Sequence, residues 1–103
     1  MQKIKTYAGF AKKMGKVSIG ETAYNDIKSG KAIVLLLEPS AAVNTLEKYQ
    51  NICENTRTPF QMVPDIGEAI GKPNAKTVCI KDRGLGNKII ELMSGRENDS
   101  WQN

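Results

Sequence analysis

Histidine is absent from this 103-residue chain. With it go the imidazole general base, the serine–histidine dyad and any metal site that needs a histidine. Cysteine is scarce. Cys53 and Cys79 cannot build a four-thiolate zinc site, and two isolated thiols fit a reducing, cytoplasmic compartment where they need not pair. No run approaches the ~20 apolar residues of a membrane helix. The longest, Ala32-Ile33-Val34-Leu35-Leu36-Leu37, suits only a strand. The N-terminal lysines have no apolar signal-peptide core behind them. The chain therefore reads as cytoplasmic, with no membrane partner. What is present, 40% apolar and 25% charged residues, is the composition of one soluble globular domain.

Charge is more informative by region than in total. Residues 1–31 carry seven lysines against Glu21 and Asp26, a net of +5, whereas residues 32–64 sum to −1 and residues 65–103 to zero. A one-sided basic surface attracts polyanions, chiefly nucleic acid, through phosphate contacts and counterion release. A solvated lysine-rich helix gives the same counts, so charge supports a nucleic-acid partner without requiring one.

Along the chain, Ile4, Tyr7, Ala8, Ala11 and Met14 recur at helical spacing, and Gly15 is a good stop. Lys16-Val17-Ser18-Ile19 alternates as a short strand. Gly20-Glu21-Thr22 opens a second helix with Ala23 and Ile27 inward, closed by Ser29-Gly30. The apolar run 32–37 predicts a central strand covered on both faces, broken by Glu38-Pro39-Ser40. A third helix over about 41–56 places Ala42, Leu46, Tyr49 and Cys53 inward. Pro59 and Pro64 bracket a strand, the first marking an edge position or strand start. Asp65 is expected to cap a short helix that Gly71 closes. Thr77-Val78-Cys79-Ile80 is a further strand, and the turn from Asp82 leads into a last helix with Leu85, Ile89, Leu92 and Met93 inward. Alternating strands and helices predict an α/β fold, a three-layer α/β/α sandwich around a four-stranded mixed sheet. Residues 1–93 form the single domain and residues 94–103 a polar tail that includes Trp101.

Few of these residues argue for chemistry. Gly84-Leu85-Gly86 stands where a helix N-terminus would receive a phosphate, but the third glycine of a dinucleotide fingerprint is replaced by Ile89, so a sharp strand-to-helix turn explains it better. Cys53 and Cys79 fall on apolar stripes and read as buried thiols. Glu21, Glu38 and Asp82 sit at strand ends, as caps or turn residues do. The Gly20-Glu21-Thr22 junction is the most suggestive. If the loops at 20–22, 38–40 and 71–75 share one end of the sheet, they make a basic, amide-rich rim able to hold RNA through its backbone. Unrelated surface turns would leave the same sequence.

A wider pattern joins these pieces. Gly15-Lys16-Val17, Gly20-Glu21, Ile27-Lys28-Ser29-Gly30-Lys31-Ala32 and Val34-Leu35-Leu36 are followed by Asn44-Thr45, by Cys53 and Pro59, by Ile70-Gly71-Lys72 and by Asp82-Arg83-Gly84-Leu85-Gly86-Asn87-Lys88. In order and spacing, over residues 6 to 93, this resembles the bacterial YlxQ-type branch of the kink-turn-binding ribosomal-protein family. The resemblance implies an α/β/α sandwich and recognition of sharply bent RNA by the helix that begins at Gly20 and by the loop of Gly71, Lys72, Pro73, Asn74 and Ala75. A regular RNA major groove is too deep and narrow for side chains, and a kink opens it. The family's tight binders carry Asn-Glu and, one turn later, Lys in that helix. Here the matching positions fall at Thr22 and Ala23, with Asn25 or Asp26 where the lysine would stand. Contacts of that kind are worth ~1–3 kcal/mol each, by analogy with base readout in DNA.

The resulting expectation is a non-enzymatic, cytoplasmic, ribosome-associated protein that recognises kink-turn-like or otherwise structured RNA. It would have no cofactor or metal, and ribosome-associated proteins would be among its partners. The RNA-contacting residues would be Lys16, Gly20, Glu21, Thr22, Asn25, Lys31, Glu38, Gly71, Lys72, Pro73 and Asn74. The alternative is a protein-interaction module on the same scaffold that has lost specific RNA recognition.

Overall fold

Strand and helix alternate along the whole described chain, residues 1–95 of the computed structural model. The order is α1 (Gln2–Lys13), β1 (Val17–Ile19), α2 (Gly20–Lys28), β2 (Val34–Leu37), α3 (Val43–Thr56), β3 (Phe60–Met62), α4 (Ile66–Ala69), β4 (Thr77–Ile80) and α5 (Arg83–Met93). The four strands form one mixed sheet in the order β1-β4-β2-β3. β4 runs antiparallel to both β1 and β2, and β3 lies parallel to β2 at the edge.

β2 is wholly buried, as its unbroken apolar run predicts. Its alternating side chains feed two separate cores. Val34 and Leu36 join Val78 and Ile80 of β4 against α1, α4 and α5, through Ile4, Ala8, Ala11, Ile66 and Ile89. Leu35 and Leu37 join Cys79 against α2 and α3, through Ala23, Ile27, Tyr49 and Cys53. The sheet is therefore the middle layer of an α/β/α sandwich, with both faces covered by helices. Each fully buried leucine contributes roughly 2 kcal/mol of transfer free energy.

Three helices end the same way. Gly15, Gly30 and Gly71 take positive φ of 71°, 83° and 74°. The amide of the following lysine then bonds back five residues: Lys16 to Ala11 O, Lys31 to Asp26 O, Lys72 to Gly67 O. This pairing satisfies carbonyls that the helix would otherwise leave open, and a glycine adopts the left-handed turn without strain.

Some local expectations are corrected. Met14 is 54% exposed, because it is the C-cap of α1 and not its last inward residue. Ala42 is exposed at the N-cap of α3. Asp65 makes no side-chain cap to α4. It sits at φ 61°, and its backbone N–H donates to Glu38 Oε1 at 2.7 Å. Ser18 is the buried residue of β1 and Ile19 the exposed one, because the polar side chain has an inward partner, described below. Residues 96–103 of the expected tail, with Trp101, lie outside the described residues.

Candidate functional site

At one end of the sheet the chain turns sharply from β1 into α2. Gly20 makes the turn at φ 59°, with nothing within 4 Å of where a side chain would begin. Both of its backbone groups are held. Its N–H donates to Thr77 Oγ1 at 3.0 Å, and its carbonyl accepts the Tyr49 hydroxyl at 2.8 Å. The N-cap residue Ile19 has no side chain able to cap α2, and Thr77 takes only the Gly20 amide, which leaves the amides of Glu21 and Thr22 at the helix start without an intrahelical partner.

The loop between α4 and β4 rises beside that turn. It is braced on Gly67, whose carbonyl accepts the Lys72 amide at 2.8 Å. A Cβ on Gly67 would collide with the Lys72 carbonyl and stand 2.8 Å from that of Ala75, so the loop lies directly on the helix backbone. The β2–α3 turn reaches the same end. Glu38 N–H donates to Lys76 O at 2.9 Å, and its carboxylate accepts from the amides of Ser40 (3.1 Å) and Asp65 (2.7 Å). Desolvation alone would raise the Glu38 carboxyl. The Ser40 and Asp65 amides outweigh it and hold the group below its ordinary value.

Together the Gly20 turn, α3 and the 71–77 loop enclose an open cavity of about 670 Å³. Lys48, Lys72 and Lys76 line it, with Glu21 as the one acid among the lining residues. Lys48 Nζ lies 3.1 Å from Glu21 Oε2 and 4.6 Å from the centre of the Tyr24 ring, which meets Tyr49 edge-to-face at 5.6 Å. The hydrogen bond to Glu21 is the main cause that raises the Lys48 ammonium above its ordinary value. Chemically, the cavity offers a paired carboxylate, two lysines on a braced loop and free helix amides: acceptors for base amines beside donors for phosphates.

The structure thus brings together Gly20, Glu21, Gly71, Lys72, Pro73 and Asn74. Thr22 and Asn25 lie on the exposed face of α2. Glu38 is at the same end, but its carboxylate is engaged with backbone amides. Lys16 and Lys31 do not join the rim. β1 separates Lys16 from Gly20, and antiparallel pairing puts Lys16 beside Lys81 at the far end, where Lys16 and Lys31 line a different cavity with Lys81 and Arg83. Lys76, which flanks the 71–75 loop in the sequence, also lines the cavity. Residues the sequence reading missed at this site are Thr45, Lys48, Tyr49, Thr77 and Gly67. A glycine inside the short helix α4 was the one legible signal. The others depend on which helix face meets which loop.

Asp26, one of the two positions where the resemblance would put a lysine, turns inward. Its Oδ2 accepts the Ser18 hydroxyl at 2.7 Å and lies 3.3 Å from Lys81 Nζ. Burial pulls the Asp26 carboxyl upward. Ser18 and then Lys81 outweigh it and hold the group below its ordinary value. Burial pushes the thiols of Cys53 and Cys79 up, to about 12 and about 11, so both stay protonated and inert. Gly86 packs directly on Ile33, and a Cβ there would overlap its side chain. Gly86 therefore serves the close approach of α5 to Ile33, whereas Gly84 is exposed with only the Asp82 carboxylate near it.

No family model matches the chain. Over 89 residues it is 32% identical to the RNA-binding protein YlxQ of Bacillus subtilis (strain 168), covering 82% of this chain and 89% of that protein. In three dimensions it is similar to a Bacillus halodurans C protein of unknown function, with a TM-score of 0.84, 23% identity, and coverage of 91% of this chain and 99% of that one. It is also similar to the Giardia lamblia 15.5kD RNA binding protein, with a TM-score of 0.77, 17% identity, and coverage of 94% and 87%. At these identities the two structural likenesses speak for the fold.

Proposed function

The chain belongs to the YlxQ family, and from that premise we propose that it is a non-enzymatic RNA-binding protein. Its contact surface is the rim built from the Gly20 turn and the 71–76 loop, and its RNA is bent, kink-turn-like RNA of the ribosome or another structured RNA. It would act in the cytoplasm, beside ribosome-associated proteins. The observation that carries the reading is the convergence of an uncapped helix start with Lys72 and Lys76 on one cavity. An A-form duplex cannot admit this surface. A kinked internal loop opens its major groove and exposes base edges. The first-turn amides of α2 then reach base edges and phosphates, Glu21 accepts from base amines, and the two lysines take the flanking backbone.

Titration of a fluorescent kink-turn RNA tests this. Two or three phosphate contacts predict affinity falling about 10- to 50-fold between 50 and 200 mM salt. Lys72→Ala with Lys76→Ala weakens binding across sequences, and changes at Thr22 or Glu21 alter preference. Absence of binding at 50 mM salt, or binding indifferent to salt, overturns the proposal. One observation favours the rival protein-interaction module: Asp26 faces Ser18 and Lys81 inside the fold, which leaves the exposed face of α2 without a mid-helix cation. A protein partner recovered after nuclease treatment, with no RNA bound by the pure protein, would establish that reading.

A further inference from the structure

The far end of the sheet has its own charged cavity, of about 420 Å³, lined by Lys16, Lys31, Lys81 and Arg83 with Gly15, Gly30 and Ile33. Three separate connections build it. Lys16 follows the glycine that ends α1, Lys31 follows the glycine that ends α2, and Lys81 and Arg83 flank Asp82 where β4 enters α5. Backbone bonds fix the connections to one another. Lys81 N–H donates to Lys16 O at 2.8 Å, and Ile33 N–H donates to Ile80 O at 2.9 Å. The backbone positions that carry the cations are thus fixed relative to one another.

Their neutralisation is incomplete. Asp26 lies behind the cavity at 3.3 Å from Lys81 and is also felt by Lys31. The Asp82 carboxylate accepts the Leu85 amide as the cap of α5. Among the described residues, no ion pair within 4 Å holds Lys16, Lys31 or Arg83, and all three are exposed. Lysines that follow helix ends also oppose the carbonyl dipole there. That role explains one lysine per helix; it does not explain why two such lysines and an arginine from the start of a third helix converge on one cavity. Like charges gathered on a fixed frame repel until an anion joins them.

We propose that this far end is a second phosphate-binding surface, which takes the backbone of a duplex RNA segment distinct from the one at the Gly20 rim. The inference rests on the RNA-binding reading above and adds a second point of contact, so that one molecule joins two stretches of RNA. Strands of three and four residues, about 10–13 Å long, separate the two ends, which face opposite ways along the sheet.

The test uses the whole chain and two probes: a plain 20-base-pair RNA duplex, and the same duplex carrying a kink-turn. The variant Lys16→Ala with Lys31→Ala and Arg83→Ala should bind the plain duplex about tenfold or more weakly at 50 mM salt, with a salt slope shallower by about 2–3. The charge-matched control Lys5→Ala with Lys12→Ala and Lys13→Ala should lose less than threefold. The swap Lys16→Arg with Lys31→Arg and Arg83→Lys should restore binding. Equal losses in variant and control, or no loss in the variant, overturn the inference. A second readout needs no variant: photo-crosslinks from the plain duplex to the unaltered protein should fall at residues 15–16, 31–33 and 81–83, and crosslinks confined to 20–22 and 71–76 also overturn it. The rim is judged separately. Lys72→Ala with Lys76→Ala should weaken the kink-turn probe and leave the plain duplex unchanged. If the kink-turn adds no affinity while the far-end variant still fails on plain duplex, the rim reading falls and this one stands. If neither RNA binds, both fall.

Discussion

Asp26 shows how much one side chain decides. It is 8% exposed, on a helix whose charge pattern places it among solvent-facing residues, and only the nearby Ser18 and Lys81 make its burial tolerable. Nothing in the spacing of Ser18, Asp26 and Lys81 announces that they meet, because the contact spans a strand, a helix and the end of another strand. Replacing Asp26 with Ala should cost on the order of 2 kcal/mol, since it leaves a hydroxyl and an ammonium without their acceptor; urea unfolding measures it. The pH dependence has a definite sign. The folded-state group lies below its unfolded value, so the stability it contributes is present above the unfolded pKa, near 3.9, and is lost as pH falls through the lower folded one. Unfolding curves of the native protein should therefore weaken with acid below about pH 4, and those of Asp26→Asn should weaken less. Gly86 makes a different point. In the sequence it reads as part of a sharp strand-to-helix turn, and the structure adds the close contact with Ile33 that the turn serves. Gly86→Ala should destabilise by about 1–3 kcal/mol, read from the same denaturant curves.

At the level of elements, most of the chain was legible. β2 declared itself by an apolar run, α5 by its periodic leucines and isoleucines, and β3 by the prolines on either side. Each depends on local pattern alone. Where local pattern misled, a partner from elsewhere had intervened. Asp65 looked like a helix cap, but its amide was taken by Glu38 from a turn 27 residues earlier. The α4–β4 loop is the sharper case. Its residues were named from the sequence, whereas its support, Gly67, was not, because only the folded loop shows three carbonyls crowded over that glycine. Gly67→Ala should push the 72–75 loop away from the helix. The expected result is a loss of kink-turn affinity of about tenfold or more with the lysines intact, alongside a drop in thermal midpoint. Tyr49→Phe removes the donor that pins Gly20 and should cost about 1 kcal/mol, with a smaller effect on affinity.

For the molecule as a whole, the order of the strands decides what can act together. The sequence put Lys16, Gly20, Lys31 and the 71–74 loop into a single rim. Strand β1 lies between Lys16 and Gly20, and its antiparallel pairing with β4 sets Lys16 beside Lys81 at one end of the sheet and Gly20 beside Thr77 at the other, which divides the grouping between two ends. The rim itself survives as a grouping of Gly20, Glu21 and the 71–74 loop, joined by Lys48 and Tyr49 from α3. The two cores offer a global probe. Cys53 and Cys79 are fully buried on the α2–α3 side, with both thiols raised by burial to about 12 and about 11. Neither should react with a thiol reagent at pH 8 in the native protein, and both should react together on unfolding, at a rate set by global opening.

The sheet is bounded on each side by a strand only three residues long, one of them closed off by prolines. An exposed border of that length offers another chain almost no amide ladder to extend. Crowded solutions of this protein should accordingly resist growing into fibrils, even when its surface charge is screened.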